Sequence, residues 1–200
     1  MSSRGFILAR VRRNQPPWRT LPAVPTFDRP LPDSLAAFGA ALARMGGKLA
    51  EAPAAQESLD AIIRARFPEA RVICSATPEV AGTRAAGSVR HPAELDDVDV
   101  GVVRAVFGVA ETGSVWLSER EFVVNALGFL SQHLVVLLDR DAIVPDLHHA
   151  YRDRGFFDAR YSVLMTGPSA TADIEGVLIR GAQGIRTLTV KPTMSGQAVA

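Results

Sequence analysis

The sequence predicts an α/β protein in which helices cover a mostly parallel central sheet. Three observations lead to this fold class. Strand-like segments alternate with helical patterns along the chain, as in parallel sheets joined by crossover helices. The segment His133–Leu138 is almost wholly apolar, which is typical of a parallel strand covered on both faces. The length of 200 residues, with 48% hydrophobic and 22% charged residues, fits one globular domain.

The start of the chain differs in composition from the rest, and we interpret residues 1–33 as an N-terminal helix and a proline-rich arm. A basic stretch with apolar residues indicates the short helix, and six prolines between residues 15 and 33 exclude helix and central strand. Trp18 and Phe27 are candidates for pinning this arm to a surface, either its own or a partner's. The α/β domain is expected at residues 34–192, and a flexible tail at residues 193–200.

Five helices are predicted from apolar residues at helical spacing and from signals at the helix ends. Asp33 or Ser34 caps the first helix, and Gly46-Gly47 ends it. Pro53 opens the second helix, and Pro68 lies beyond its end. The predicted helices cover Leu35–Met45, Pro53–Phe67, Phe122–Leu130, Pro145–Arg154 and Thr171–Ala182.

The strands are predicted from short apolar segments bounded by turn-forming residues. Two of them lie close together between Ala105 and Ser118, so part of the sheet is expected to be mixed. The predicted strands are Lys48–Glu51, Arg71–Ser75, Val98–Val103, Ala105–Ala110, Ser114–Ser118, His133–Leu138, Tyr161–Thr166 and Thr187–Val190.

Charge and cysteine content exclude several classes of function. The net charge of +1 gives no broad electrostatic basis for binding nucleic acid or membranes, and no apolar run approaches the ~20 residues that span a bilayer. Cys74 is the only cysteine, so it cannot hold an iron–sulfur cluster, which needs about four thiolates. The adjacent His148 and His149 would point about 100° apart on a helix, so no metal site is expected. We expect a cytoplasmic protein without a cofactor of its own.

The loop Ala110–Ser114 follows a predicted strand, where ligands of parallel α/β sheets bind. Glu111 supplies a carboxylate that could act as acceptor, base or nucleophile. Thr112 and Ser114 supply hydroxyl groups, and Gly113 permits a tight turn with accessible backbone N–H groups. The alternative interpretation is a turn between strands whose hydroxyls satisfy the local backbone.

The loop Gly167–Asp173 joins a predicted strand to a predicted helix. Ser169 or Thr171 would cap that helix, and Asp173 and Glu175 would lie in its first turn, where carboxylates are stabilised by the helix dipole. The functional alternative is a ligand seat at the helix N-terminus, and the two carboxylates favour a neutral or hydroxyl-bearing ligand over phosphate. The candidate catalytic residue of the two loops is Glu111, and the candidate ligand-binding residues are Thr112, Gly113, Ser114, Gly167, Pro168, Ser169, Thr171, Asp173 and Glu175.

These loops resemble a known family. The run Phe107–Ser114 resembles one hallmark of the LUD domain family, and the run Thr166–Glu175 resembles the other; the likeness extends from residue 98 to residue 190. The resemblance implies a fold similar to that of sugar-phosphate isomerases and CoA-transferases. It also implies a part in oxidising L-lactate to pyruvate, with the iron–sulfur clusters in partner subunits. The chain departs from the family at Gln183-Gly184-Ile185, where the family tends to read His-Gly-Pro, so any role of that histidine is absent.

Three functions are therefore compatible with the sequence. The first is a non-cluster, accessory subunit of a lactate-oxidising iron–sulfur complex, which binds a small ligand or a partner at the two loops. The second is a stand-alone enzyme of the CoA-transferase or isomerase type that uses Glu111 as nucleophile or base. The third is a ligand sensor that regulates other proteins through protein contacts, since no DNA-binding segment is evident.

Overall fold

The computed structural model of the chain describes residues 2–20, 22–23, 25, 31, 33–51, 58–152, 155–173 and 175–194. Its α-helices are α1 (Ser3–Arg13), α2 (Ser34–Arg44), α3 (Leu59–Arg66), α4 (Glu119–Phe122), α5 (Leu127–Leu130), α6 (Leu147–Ala150) and α7 (Gly155–Asp158). Its strands are β1 (Lys48–Leu49), β2 (Ile73–Ser75), β3 (Arg84–Ala85), β4 (Val100–Arg104), β5 (Phe107–Val109), β6 (Ser114–Ser118), β7 (His133–Asp139), β8 (Ile143–Val144), β9 (Ser162–Met165), β10 (Ala170–Thr171), β11 (Ile179–Arg180) and β12 (Thr187–Thr193). Short 3₁₀ turns cover Ala86–Ser88, Pro92–Leu95 and Arg140–Ala142.

A six-stranded parallel sheet in the order β1-β12-β7-β4-β2-β3 forms the centre of the fold, which confirms the predicted fold class. Strand β7 pairs along its whole length with β12 and also pairs with β4. Its side chains from Leu134 to Leu138 are buried. On one face they cluster with Phe38 and Leu42 of α2, and on the other with Ile63 of α3. The prediction of a parallel strand covered on both faces is therefore confirmed.

A second, four-stranded sheet has the order β8-β5-β6-β9 and contains both strands predicted between Ala105 and Ser118. Strands β5 and β6 are antiparallel, β6 and β9 are antiparallel, and β5 and β8 are parallel. Strands β5, β8 and β9 therefore run in the same direction, and their carboxyl ends lie at one edge of this sheet. The predicted strand Tyr161–Thr166 forms the half-buried outer strand β9 here instead of joining the central sheet.

The predicted helix Thr171–Ala182 is wrong, because this segment forms a two-stranded antiparallel hairpin of β10 and β11. The hairpin turn places Glu175 at φ 53° and Gly176 at φ 69°, a left-handed conformation that a helix cannot contain. The apolar side chains that suggested a helical face, Val177 and Leu178, are exposed rather than packed on a core. The spacing of apolar residues therefore predicted a helix here, but these residues have no core surface to pack against.

Two other predicted helices are shorter than expected. Of the segment Phe122–Leu130, only Phe122, the last residue of α4, and the single turn α5 are helical, because Val123 adopts φ 61° and interrupts the helix. Among the described residues of the segment Pro145–Arg154, which exclude 153 and 154, the helical ones form α6. Asp146 caps α6 by accepting a hydrogen bond from the His149 N–H at 2.9 Å. Pro53, predicted to open the second helix, lies outside the described residues, in which that helix is α3.

Residues 2–20 contribute little to the core, whereas Leu31 further along the arm packs against it. Helix α1, capped by Ser2, has no buried residue, and the Trp18 side chain that follows it is 86% exposed. Trp18 therefore does not pin the arm to its own domain, while Phe27 lies outside the described residues. No helix in the described part of the chain is long and apolar enough to cross a membrane. The division into arm, domain and tail stays a prediction.

Candidate functional site

The two loops singled out in the sequence meet at one edge of the second sheet. The loop 110–114 follows β5, and the loop 166–169 follows β9, whose carboxyl ends lie at the same edge. The Thr166 hydroxyl donates a hydrogen bond to the Thr112 carbonyl oxygen at 3.4 Å, so the loops are in contact. Beside them, the Ala110 N–H donates to the carbonyl of Val144 at the end of β8. The two loops thus lie beyond strand ends of the second sheet and not of the central one.

A glycine in each loop allows helix α2 to lie across this edge. Gly113 has φ +66°, and a Cβ atom on it would lie 2.2 Å from the backbone nitrogen of Leu42. Gly167 has φ +65°, and a Cβ atom there would lie 2.2 Å from the carbonyl oxygen of Met45. Both distances are far below van der Waals contact, and both neighbouring atoms belong to the backbone. These two glycines therefore position α2, whatever the loops bind.

The polar residues of the first loop have different surroundings. Glu111 is exposed, and its carboxylate accepts a hydrogen bond from the Leu147 N–H at 3.3 Å, at the start of α6. Ser114 is buried in β6, where it pairs with Val109 of β5. The Thr112 hydroxyl oxygen is buried and has no hydrogen-bond partner among the described residues. Of the three polar residues in this loop, Ser114 is thus part of a strand, and only Glu111 and Thr112 lie outside the strand pairing.

Glu111 lines a cavity of about 430 Å³, which we call the Glu111 cavity. Its wall also includes Asp146 and His148 from the start of α6. Asp146 accepts hydrogen bonds from the ring Nδ1 of His149 at 2.8 Å and from the His149 backbone. Burial is the largest single effect and raises the pKa of Asp146, but these hydrogen bonds together with the electrostatic attraction of His149 and His148 lower it more, so the net pKa is below its usual value. The remaining lining residues are Leu31, Ala37, Ala110 and Pro145.

The second loop lines a different cavity, of about 530 Å³, which we call the arginine cavity. Its lining combines Gly167, Pro168 and Ser169 with two arginines, Arg44 and Arg180. The other lining residues are mainly apolar: Met45, Gly128, Phe129, Val163, Leu164, Met165, Thr166, Ala170, Leu178, Gly184 and Ile185. Helix α2 contributes Ala37 to the Glu111 cavity and its C-terminal end to this one. The edge where the loops meet thus has two cavities.

A ligand seat at a helix N-terminus, the functional alternative for the second loop, is wrong, because the described residues that follow this loop form the β10–β11 hairpin and not a helix. Ser169 instead joins the β10–β11 hairpin through its backbone, which donates to Ile185 at 3.1 Å and accepts from Gly181 at 2.6 Å. The Thr171 hydroxyl accepts a hydrogen bond from the Asp173 N–H at 3.3 Å. Asp173 and Glu175 are exposed on the hairpin and do not line the arginine cavity. Of the candidate residues after Ser169, none lies at either cavity.

The residues that sequence reasoning missed are the charged ones brought in from distant segments. Arg44 and Arg180 meet at the arginine cavity although 136 positions separate them, and single arginines in an arginine-rich chain carry no local signal. His148 and Asp146 had a usable signal, since they directly follow the short apolar run before Pro145. The described residues contain no group of three side chains suited to a metal ion.

Cys74 lies in β2 and is fully buried against the core. Burial raises the pKa of its thiol, while the nearby Arg84 lowers it to a smaller extent. A thiol kept protonated in an apolar environment is a poor nucleophile. Packing is therefore the role that the structure supports for this residue.

Comparison with known proteins gives one family and one fold. The LUD domain model matches residues 84–190, a span that contains both loops and most of the two sheets. Among solved structures, the crystal structure of a DUF162 family protein from Deinococcus radiodurans is similar, with 18% sequence identity and a TM-score of 0.59. The similarity covers 80% of this chain and 96% of that one, and at this identity it bears on the fold alone. Among curated proteins, no sequence matches the chain.

Proposed function

This chain belongs to the LUD domain family, and we propose that it is a cytoplasmic, non-cluster subunit of an iron–sulfur complex that oxidises L-lactate to pyruvate. In length and arrangement it resembles lactate utilisation protein C. The observation that carries the proposal is that both hallmark loops of the family meet through Thr166 and Thr112 at one edge of a sheet. There each loop lines a cavity able to hold a small ligand.

An accessory role fits the chemistry of this chain better than independent redox catalysis. With a single cysteine in 200 residues, the chain has too few thiolates for an iron–sulfur cluster, so electrons from lactate would pass to clusters on other subunits. Cys74 itself is buried in the core. The subunit would then bind a ligand or hold its partners in place.

Helix α1 is the segment best suited to contact such a partner. Phe6, Ile7 and Val11 are at least half exposed, although large apolar side chains on a monomer are usually buried. Residues 1–14 contain four arginines and no acidic residue, which favours an acidic apolar groove as the docking surface. Because α1 buries nothing on its own domain, changing these side chains should leave the fold intact.

The first test is growth on L-lactate of a strain that lacks this gene and all redundant lactate dehydrogenases. We expect no growth without the gene and full growth when the wild-type chain is supplied. Unchanged growth of the deletion strain would reject the lactate role. A tagged wild-type chain should also recover iron–sulfur proteins from lactate-grown cells.

The second test asks whether α1 is the docking element. The variant Phe6→Ser/Ile7→Ser/Val11→Ser should melt like wild type but recover much less iron–sulfur protein. Ala9→Ser, on the same exposed helix, is the matched control and should recover the normal amount. If the triple variant captures as much partner as the control, docking occurs elsewhere on the surface.

A stand-alone enzyme of the CoA-transferase or isomerase type remains the second candidate, because Glu111 shares a cavity with His148. A carboxylate in such a cavity could attack an acyl thioester or remove a proton. We would incubate the purified chain with acetyl-CoA together with propionate as the acceptor acid and, separately, with ribose 5-phosphate. Turnover that Glu111→Gln abolishes and Glu175→Gln preserves would support this function, since Glu175 lies outside both cavities. Absence of turnover of both probes would reject it.

A further inference from the structure

We propose that the arginine cavity binds an organic anion larger than lactate, with a carboxylate or phosphate group at Arg44 and Arg180 and an apolar body on Met45, Phe129 and Leu178. This inference rests on the proposed function in one respect: it names the class of ligand that the second hallmark loop would bind. Its test needs only the purified chain, so the ligand proposal and the lactate proposal can fail separately.

The charge of the cavity is the first step of the argument. Arg44 and Arg180 line it, and no aspartate or glutamate is among the lining residues. The chain as a whole is nearly balanced, with 22 basic and 21 acidic residues, so a cavity with two cations and no acid is a local departure. In the described part of the chain neither arginine forms a salt bridge, whereas Arg84 pairs with Asp97 and Arg104 with Glu79. An anionic group would complete the charge balance here.

The second step is that Arg180 is held in place before any ligand binds. Its Nη2 donates a hydrogen bond to the carbonyl oxygen of Arg44 at 3.2 Å, at the C-terminal end of α2, where the helix dipole favours a cation. Gly46 makes room for it, since a Cβ atom there would lie 2.7 Å from Nη1 of Arg180. A guanidinium has five N–H donors, so most remain for a ligand. A fixed guanidinium loses less entropy on binding than a free one.

The third step concerns the apolar wall and the size. Met45, Phe129 and Leu178 are large apolar residues that line the cavity, yet each is at least 40% exposed. Apolar surface left in water beside a concave site is typical of a ligand-binding cleft. The volume of about 530 Å³ suits a ligand far larger than a three-carbon acid. Lactate could satisfy the arginines but would leave this wall uncovered.

Isothermal titration calorimetry with five probes tests the inference. Decanoate and decyl phosphate carry the two possible head groups on an apolar chain, decanol lacks the charge, decylamine reverses it, and L-lactate lacks the chain. We expect at least one of the two anions to bind at least tenfold more tightly than decanol, decylamine and lactate. The tighter of the two anions identifies the head group. Equal binding of decanol, or no binding of either anion, would overturn the proposal.

Matched variants locate the binding site. Arg44→Gln and Arg180→Gln should each weaken binding of the preferred anion by about tenfold, as loss of a charge-assisted hydrogen bond implies. Arg64→Gln is the control, because Arg64 also lies in the last turn of a helix but lines neither this cavity nor the Glu111 cavity. Leu178→Ser should weaken binding, while Val177→Ser, at a similarly exposed neighbour outside the cavity, should not. If each control weakens binding as much as its test variant, the anion binds elsewhere.

The two proposals remain distinguishable. If no anion binds and the wild-type chain still restores growth on lactate, the ligand class is wrong and the accessory role stands. If the anion binds and deletion of the gene does not affect growth, the cavity is confirmed and the lactate role fails.

Discussion

Replacing Gly113 by alanine should destabilise the protein by about 2–5 kcal/mol. The new Cβ atom would lie 2.2 Å from the backbone nitrogen and 2.6 Å from the Cα atom of Leu42. These are backbone atoms of α2 and cannot rotate away, so the helix must shift, at about 1–3 kcal/mol by analogy with overpacked cores. The left-handed conformation at φ +66° adds roughly 1–2 kcal/mol for a residue with a Cβ atom.

A second glycine separates these two contributions. Gly176 has nearly the same φ, +69°, but a Cβ atom there would have no neighbour within 4 Å among the residues that the structure describes. Gly176→Ala should therefore cost only the conformational part, roughly 1–2 kcal/mol. The free energies of unfolding would come from urea titrations followed by the fluorescence of the buried Trp116. If Gly113→Ala costs no more than Gly176→Ala, helix α2 does not lie against the loop, and the division into two cavities is wrong.

Three further predictions concern single side chains. Thr112→Val should raise the free energy of unfolding by about 1 kcal/mol in urea titrations, because it removes a buried hydroxyl that has no partner among the described residues; a loss of stability would mean that water or a ligand satisfies that hydroxyl. Burial, with a smaller effect of Arg186, lowers the pKa of His133, so its contribution to stability should be complete above about pH 6.5 and decline as the pH falls towards the folded-state pKa. His133→Gln should flatten the pH dependence of unfolding in that range, and an unaltered slope would exclude His133 as the cause. Asp173→Ala should change stability by less than about 0.5 kcal/mol, because the residue is exposed and no helix dipole acts on it; a loss near 1 kcal/mol would restore the helical interpretation.

The sequence predicted the central sheet well because its evidence is local. Parallel strands that are buried on both faces are typically apolar throughout, and the residues from His133 to Leu138 show this pattern in sequence. Strand β12 differs, because Leu188 and Val190 cluster with Leu134 and Val136 of β7 while the buried residues Thr189 and Lys191 are polar. The hallmark loops could also be located, since their strands are short apolar runs that end in polar residues.

The segment 171–182 could not be predicted from local evidence. Ile174, Val177 and Leu178 have helical spacing, but spacing has meaning only if a core surface is available to the apolar face. In the structure, Val177 and Leu178 are exposed, and the turn at Glu175 and Gly176 requires left-handed backbone. The predicted helix contains two glycines, Gly176 and Gly181, each of which costs about 1 kcal/mol relative to alanine, and these argue against a helix.

The candidate site could be predicted only in part, again because long-range contacts decide the role of each residue. The loops were identified, but whether a loop residue positions the fold or faces a ligand depends on contacts made far along the chain. Gly113 and Gly167 are required by the close approach of α2, and Ser114 is part of the strand pairing between β5 and β6. Their presence in a hallmark is therefore explained without a ligand. Glu111 and Ser169 line cavities whose other charged residues come from elsewhere.

This division changes what a loop variant can show. A glycine variant that loses activity would also lose the position of α2, which contributes Ala37 to one cavity and Arg44 to the other, so it cannot separate function from folding. Arg44→Gln and Glu111→Gln each alter one cavity at an exposed side chain and leave the glycine contacts intact. A comparison of these two variants therefore assigns a defect to one cavity. If only Arg44→Gln impairs growth on lactate, the ligand of the arginine cavity serves the pathway; if only Glu111→Gln does, the chemistry lies at the Glu111 cavity.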